Sequence, residues 1–168
     1  MSIVSNLLLI ALAGVILNVL FYKSKIAQKY VSLLLFAVLA YFSLNMYNHV
    51  GSHFSIPFLI AGQSIGFTIT WLNYYFAIMI TGITLLTVIF SLKYMEGKEG
   101  SVHYYTVLFL KTLGMFGVIL SSDLITFFVF WEIMSWSTFS LMSTGGKEAP
   151  KSAFKYFVFA VSASMILM

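Results

Sequence analysis

Three ionisable side chains stand inside apolar runs of this sequence: Lys111, Glu132 and Lys155. Ionisable groups at membrane depth are costly, and by default they mark a site that faces protein or water. Carboxyl and amine groups held there can take up and release protons. Glu132 lies in the run Leu124-Ile-Thr-Phe-Phe-Val-Phe-Trp-Glu132-Ile-Met-Ser-Trp136. At 1.5 Å per helical residue from Asp123 it sits about 13 Å below that end of its helix. A hydrocarbon core is about 30 Å thick, so this is close to the midplane. Lys111 lies on the preceding helix, which runs the opposite way, about 12 Å past His103. The two groups therefore come within about 5 Å in depth. If their helix faces match, an ion pair that opens and closes is a proton switch, and a permanent one is a strut. The plainer reading of Glu132 is a carboxyl bonded to a neighbouring helix, and that of Lys111 is a static partner or a side chain snorkelling towards water. Lys155 lies one turn beyond Lys151. Snorkelling explains it, and the functional alternative is a relay site at the mouth of a hydrated path.

The surroundings add little chemistry of their own. Asp123 is placed to cap the helix that carries Glu132. Ser135, Ser137, Thr138, Ser140 and Ser143 follow Glu132 and can bond water or neighbouring helices. The 17 Phe, 10 Tyr and 3 Trp read as packing and interfacial anchors. No glycine-rich phosphate loop, nucleophile triad or metal motif is present, and no cofactor site is expected. His49 and His53 alone do not make a metal site. There is no cysteine, which excludes disulfides and thiolate metal sites.

The elements that position these groups are transmembrane helices. Of the 168 residues, 61% are hydrophobic and only 8% charged, against about a quarter charged in soluble domains. Such a chain cannot cover its apolar surface in water. At about 20 apolar residues per crossing, helices are expected at 3–22, 30–48, 71–92, 104–121, 124–143 and 152–168. The fold class is thus an all-α membrane protein of about six transmembrane helices forming one domain, 1–168. Ser121-Ser122-Asp123 is the only polar break between the fourth and fifth runs and implies a tight helical hairpin. The first run lacks a basic leader and a small-residue cleavage site, so it reads as a retained helix.

Lysines fall on alternate connectors: Lys23, Lys25 and Lys29 on the first, Lys93 and Lys98 on the third, Lys147 and Lys151 on the fifth. The positive-inside rule then puts the N-terminus outside. No basic stripe interleaves with aromatics, which argues against nucleic acid. The second connector, 49–70, is long and uncharged, with Gly51, Pro57, Gly62 and Gly66; a hairpin and a re-entrant segment both fit it.

The stretch Asp123-Leu-Ile-Thr-Phe-Phe-Val-Phe-Trp-Glu132-Ile-Met-Ser, with Ala153-Phe-Lys155-Tyr-Phe-Val158, Ser162 and Ser164, resembles the antiporter-like membrane subunits. These include the proton-pumping subunits of complex I, the large subunits of Mrp-type sodium/proton antiporters and relatives in membrane-bound hydrogenases. Ser91-Leu-Lys-Tyr94-Met95 is a weaker similarity to the same family. The resemblance implies that Glu132 modulates a lysine on a seventh helix, and that Lys155 fills a basic position on the sixth. Lys111 matches no family position. Two departures stand out: Trp71-Leu72-Asn73 occupies a place where an Asp is common, and only six of about fourteen family helices are expected here. A separately encoded part completed by another chain and a genuine short subunit are both compatible with this.

Two functions follow from these readings. One is a proton- or sodium-translocating subunit of a redox-driven or Mrp-type complex in a prokaryotic plasma membrane, coupled through Glu132, Lys111 and Lys155. Its partners would be the lipid bilayer and other membrane subunits, one of them supplying the missing helices. At most it would be a non-catalytic part of an oxidoreductase. The other is a non-conducting structural subunit of the same membrane arm. An independent small carrier is disfavoured, because no inverted repeat is visible within six helices.

Overall fold

A computed structural model describes residues 2–60, 63–97, 100–146 and 148–167. The described residues form six helices, joined by short connectors except between the second and third: α1 (Ile3–Leu20), α2 (Lys25–Asn45), α3 (Trp71–Tyr94), α4 (Ser101–Leu120), α5 (Leu124–Met142) and α6 (Ala149–Leu167). By length and composition, α1, α2 with its 3-10 extension to His49, α3, α4 and α5 can each cross a membrane. The remaining helix, α6, carries Lys151 and Lys155 in its first two turns.

Helix starts follow capping chemistry. Ser2, Ser24, Thr70 and Asp123 each accept a hydrogen bond from a first-turn backbone N–H, satisfying donors that the helix itself leaves free. Capping by Ser24 lets α2 begin at Lys25, five residues before the apolar run suggests. The polar turn so gained is used: Gln28 is fully buried, donates to the Phe21 carbonyl at 3.1 Å and accepts from the Ser101 hydroxyl at 3.0 Å. Ser32 donates to Asn18 at 3.1 Å, so a closed polar network joins α1, α2 and α4.

Between α2 and α3, β1 (His53–Ile60) and β2 (Gln63–Thr68) pair antiparallel, from His53–Thr68 to Ile60–Gln63. The second connector is therefore a β-hairpin. Its register slips between Ile56 and Leu59, where Pro57 has no N–H to give a ladder. Gly62, with Ala61, lies outside the described residues.

Helix α4 is the centre of the bundle, and glycines let its neighbours approach. A side chain at Gly14 of α1 would overlap the Phe109 ring, which stacks on Phe36 of α2 at 4.2 Å. A Cβ at Gly114 would lie 2.7 Å from the Met134 nitrogen of α5, and one at Gly117 would overlap the Phe130 ring. Small residues at such crossings allow backbones to close up where the solvent is lipid.

Contacts fix the two ends of the bundle. Gln28 touches Phe21 and Ser101, and one cavity is bordered by Tyr94, Gly100 and Gly146. The connectors after α1, α3 and α5 therefore gather at one end, with Lys23, Lys25, Lys29, Lys93 and Lys151; Lys98 and Lys147 lie outside the described residues. The β-hairpin and the α4–α5 elbow form the other end.

Candidate functional site

The α4–α5 pair sets the orientation of Glu132. Phe130 and Met134 are the α5 residues that meet Gly117 and Gly114. Glu132 is two residues from each, which turns it about 160–200° away from α4. Its face is shared by Trp136 and Phe139, whose rings meet Phe157 of α6 at centroid distances of 4.6 and 5.0 Å. The carboxylate oxygen Oε1 is buried and has no hydrogen-bond partner among the described residues. A buried acceptor without a partner forfeits its desolvation cost, roughly 1–3 kcal/mol and more for a charged group.

Lys111 does not pair with Glu132. It lies on α4 and lines a cleft of about 280 Å³ with Ile83, Thr84 and Thr87 of α3, whereas Glu132 is on the far side of α5. The ion pair present among the described residues is Lys151–Glu148, 3.0 Å, fully at the surface. Equal depth does not make a contact, because rotation about the helix axis decides which faces meet. Gly114 and Gly117, three apart on α4, were the available signal for which face meets α5.

Lys155 is also directed elsewhere. Ala153 and Ser164 of α6 are buried, and Phe157 meets α5. Lys155 is two residues from both Ala153 and Phe157, hence on the opposite face of α6, and it is exposed. The three side chains thus point in three directions, and nothing within the described residues links them.

Two polar centres were not foreseen as such. At one end, Asp123 does more than cap α5. Its Oδ1 accepts from the Thr126 N–H at 2.7 Å, and its Oδ2 accepts from the Thr126 hydroxyl at 2.6 Å and from the Gly66 N–H of the hairpin at 3.1 Å. The Gly66 carbonyl accepts from the Ser122 N–H at 3.0 Å. Burial pushes the Asp123 carboxyl up, but the hydrogen bonds from Thr126, Gly66 and Ile125 outweigh it and hold the group below its ordinary value. At the other end a cavity of about 600 Å³ is bordered by Tyr94, His103, Tyr104 and Thr144, and His103 Nε2 lies 3.1 Å from the Ser140 hydroxyl.

The comparisons agree with this architecture. Residues 54–105 match the family model described as NADH-ubiquinone oxidoreductase (complex I), chain 5 N-terminus. Over 101 residues the chain is 36% identical to the Na(+)/H(+) antiporter subunit A1 of Staphylococcus haemolyticus, covering 60% of this chain and 11% of that protein. Over 117 residues it is 32% identical to F(420)H(2) dehydrogenase subunit N of Methanosarcina mazei, covering 68% of this chain and 23% of that one. The chain is a homologue of the N-terminal part of antiporter-like membrane subunits. Chains of two solved assemblies share its fold. A chain of the Mrp complex from a Dietzia species aligns over 99% of this chain and 18% of its own length, with a TM-score of 0.87 and 20% identity. A chain of the archaeal membrane-bound sulfane sulfur reductase aligns over 98% and 35%, with a TM-score of 0.85 and 20% identity. Both assemblies are multisubunit membrane complexes. The antiporter-like relatives are much longer: the chain spans 11% and 23% of the two curated proteins named.

Proposed function

We propose that this chain belongs to a proton- or sodium-translocating unit of a prokaryotic plasma-membrane complex, with Glu132 as its coupling carboxylate. The observation that carries the reading is the buried, unpartnered Oε1 of Glu132 on the α5 face turned from α4. A group so costly to leave unmatched in a membrane calls for a proton or a basic partner, and no lysine among the described residues is in contact with it. The basic group would come from other membrane subunits of the assembly, packed where α5 and α6 are open. A charge there would favour the ionised carboxylate, and loss of it would favour the protonated form. That exchange lets events elsewhere in the complex set ion affinity at Glu132. Lys155, exposed on α6, would face the same partners, and the lysine-bearing end would lie in the cytoplasm with the N-terminus outside.

The test is Glu132→Gln in the assembled complex, with ion transport and electron transfer measured together. Transport that falls while electron transfer and assembly persist supports the reading; unchanged coupling overturns it. The divergence of Lys111, Glu132 and Lys155 favours a second reading, a structural subunit that conducts nothing. Under that reading all three neutral variants leave transport intact.

A further inference from the structure

We infer that the cleft between α3, α4 and α5 is a water-filled proton path from the lysine-bearing end of the bundle to Lys111, narrowed by Leu141. The inference rests on the reading that the chain takes part in proton transfer, and it adds a second station apart from Glu132.

Two cavities lie in series. The outer one, about 600 Å³, opens at the connector end beside His103 and Thr144. The inner one, about 280 Å³, is bordered by Lys111, Thr84, Thr87 and Thr112. Leu141 borders both, so its side chain stands where they meet. At about 30 Å³ per liquid water, each has room for several molecules.

The lining of the inner cavity is mostly apolar, and its polar side chains are Lys111 and three threonines. The hydroxyl of Thr84 donates to the Ile80 carbonyl, that of Thr87 to Ile83 and that of Thr112 to Leu108, at 2.5–2.8 Å. With their protons committed, the three oxygens keep only lone pairs for further bonds. Lys111 carries three donors when charged and none of its own acceptors. The threonines are the polar neighbours of Lys111 on this cleft, and Lys111 has no carboxylate within ion-pair distance among the described residues. At the outer mouth stands the His103 imidazole, its Nε2 3.1 Å from the Ser140 hydroxyl. The step itself is simple: a proton from bulk water at this end passes along water to the neutral Lys111 amine, where one N–H bond forms as one O–H bond of the last hydronium breaks. Release by the same route reverses both changes.

The absence of cysteine allows a direct test in membranes carrying the assembled complex. Single cysteines at Thr144 (outer cavity), Thr87 (inner cavity) and Leu86, which faces outward from α3 at 68% exposure, are treated with a membrane-impermeant methanethiosulfonate, and labelling of this chain is read by mass spectrometry. Thr87→Cys and Thr144→Cys are expected to react from the lysine-bearing side, and Leu86→Cys is not. Adding Leu141→Trp should slow reaction at Thr87→Cys about tenfold, an added barrier of ~1.4 kcal/mol, and leave Thr144→Cys unchanged. Protection of Thr87→Cys matching that of Leu86→Cys, with reaction only towards a lipid-soluble maleimide, would make the cleft a lipid groove and overturn the proposal. So would labelling indifferent to Leu141→Trp. Labelling requires no transport, so it fails or succeeds independently of the Glu132→Gln result.

Discussion

Asp123 and Gly66, far apart in sequence, are joined by a 3.1 Å hydrogen bond from the Gly66 N–H to Oδ2. Through it one carboxylate holds both the first turn of α5 and the second strand of the hairpin. Residue 66 has no room for a side chain on that side, because an added Cβ would overlap the Ser122 hydroxyl and lie 3.1 Å from Oδ2.

Gly66→Val is therefore expected to undock the hairpin from the elbow. The cost should be about 1–3 kcal/mol, the usual range for overpacking. Gly66→Ala should cost less, since the Ser122 side chain can rotate. Limited proteolysis of the hairpin in nanodiscs, read against thermal unfolding, checks the order Val worse than Ala.

The same node predicts a pH response. The folded Asp123 carboxyl titrates below its ordinary 3.8. Its contribution is therefore fully present above that value and is lost as pH falls through the lower folded value. Hydrogen exchange at the Gly66 amide should accelerate in that acid window, beyond its intrinsic pH trend, and Asp123→Ala should remove the response. At neutral pH Asp123→Ala should also cost about 0.5–2 kcal/mol through loss of the cap alone.

Glycines on α3 and α4 should respond oppositely to alanine. Gly82 has open space around its Cβ position, so Gly82→Ala should be neutral or gain up to about 1 kcal/mol from helix propensity. Gly114→Ala must push α4 off the Met134 backbone and should lose about 1–3 kcal/mol. Steric-trap or SDS unfolding of the two variants side by side measures the difference.

For Glu132, the neutral isostere separates chemistry from architecture. Glu132→Gln breaks no hydrogen bond made by Oε1, so unfolding should shift by less than about 1 kcal/mol. Ion transport by the assembled complex should nevertheless drop by roughly a hundredfold, the lower range for loss of a proton-transferring group.

Much of this was legible beforehand for a physical reason. Apolar length is dictated by the bilayer, so α1, α3, α4 and α5 appear in the sequence within a few residues of their ends. The start of α2 was missed because Lys25, Gln28 and Lys29 look like a connector. Gln28 is polar yet buried, its partners Phe21 and Ser101 coming from other segments. The 49–70 segment stayed ambiguous because Gly66 signals a close approach without naming the neighbour. Glu132 stood out by cost alone, whereas its separation from Lys111 depended on helix rotation, which Gly114 and Gly117 set through a partner helix.

The Gly66–Asp123 bond spans 57 residues, and that interval has a meaning in time. The chain grows from its N-terminus at about 5–20 residues per second, so the hairpin precedes its carboxylate by roughly 3–11 s. For that interval the Gly66 amide has no partner in α5. The latch can close only once Asp123 has been made, so the docked form of the hairpin is a late contact, completed after the elbow that begins α5.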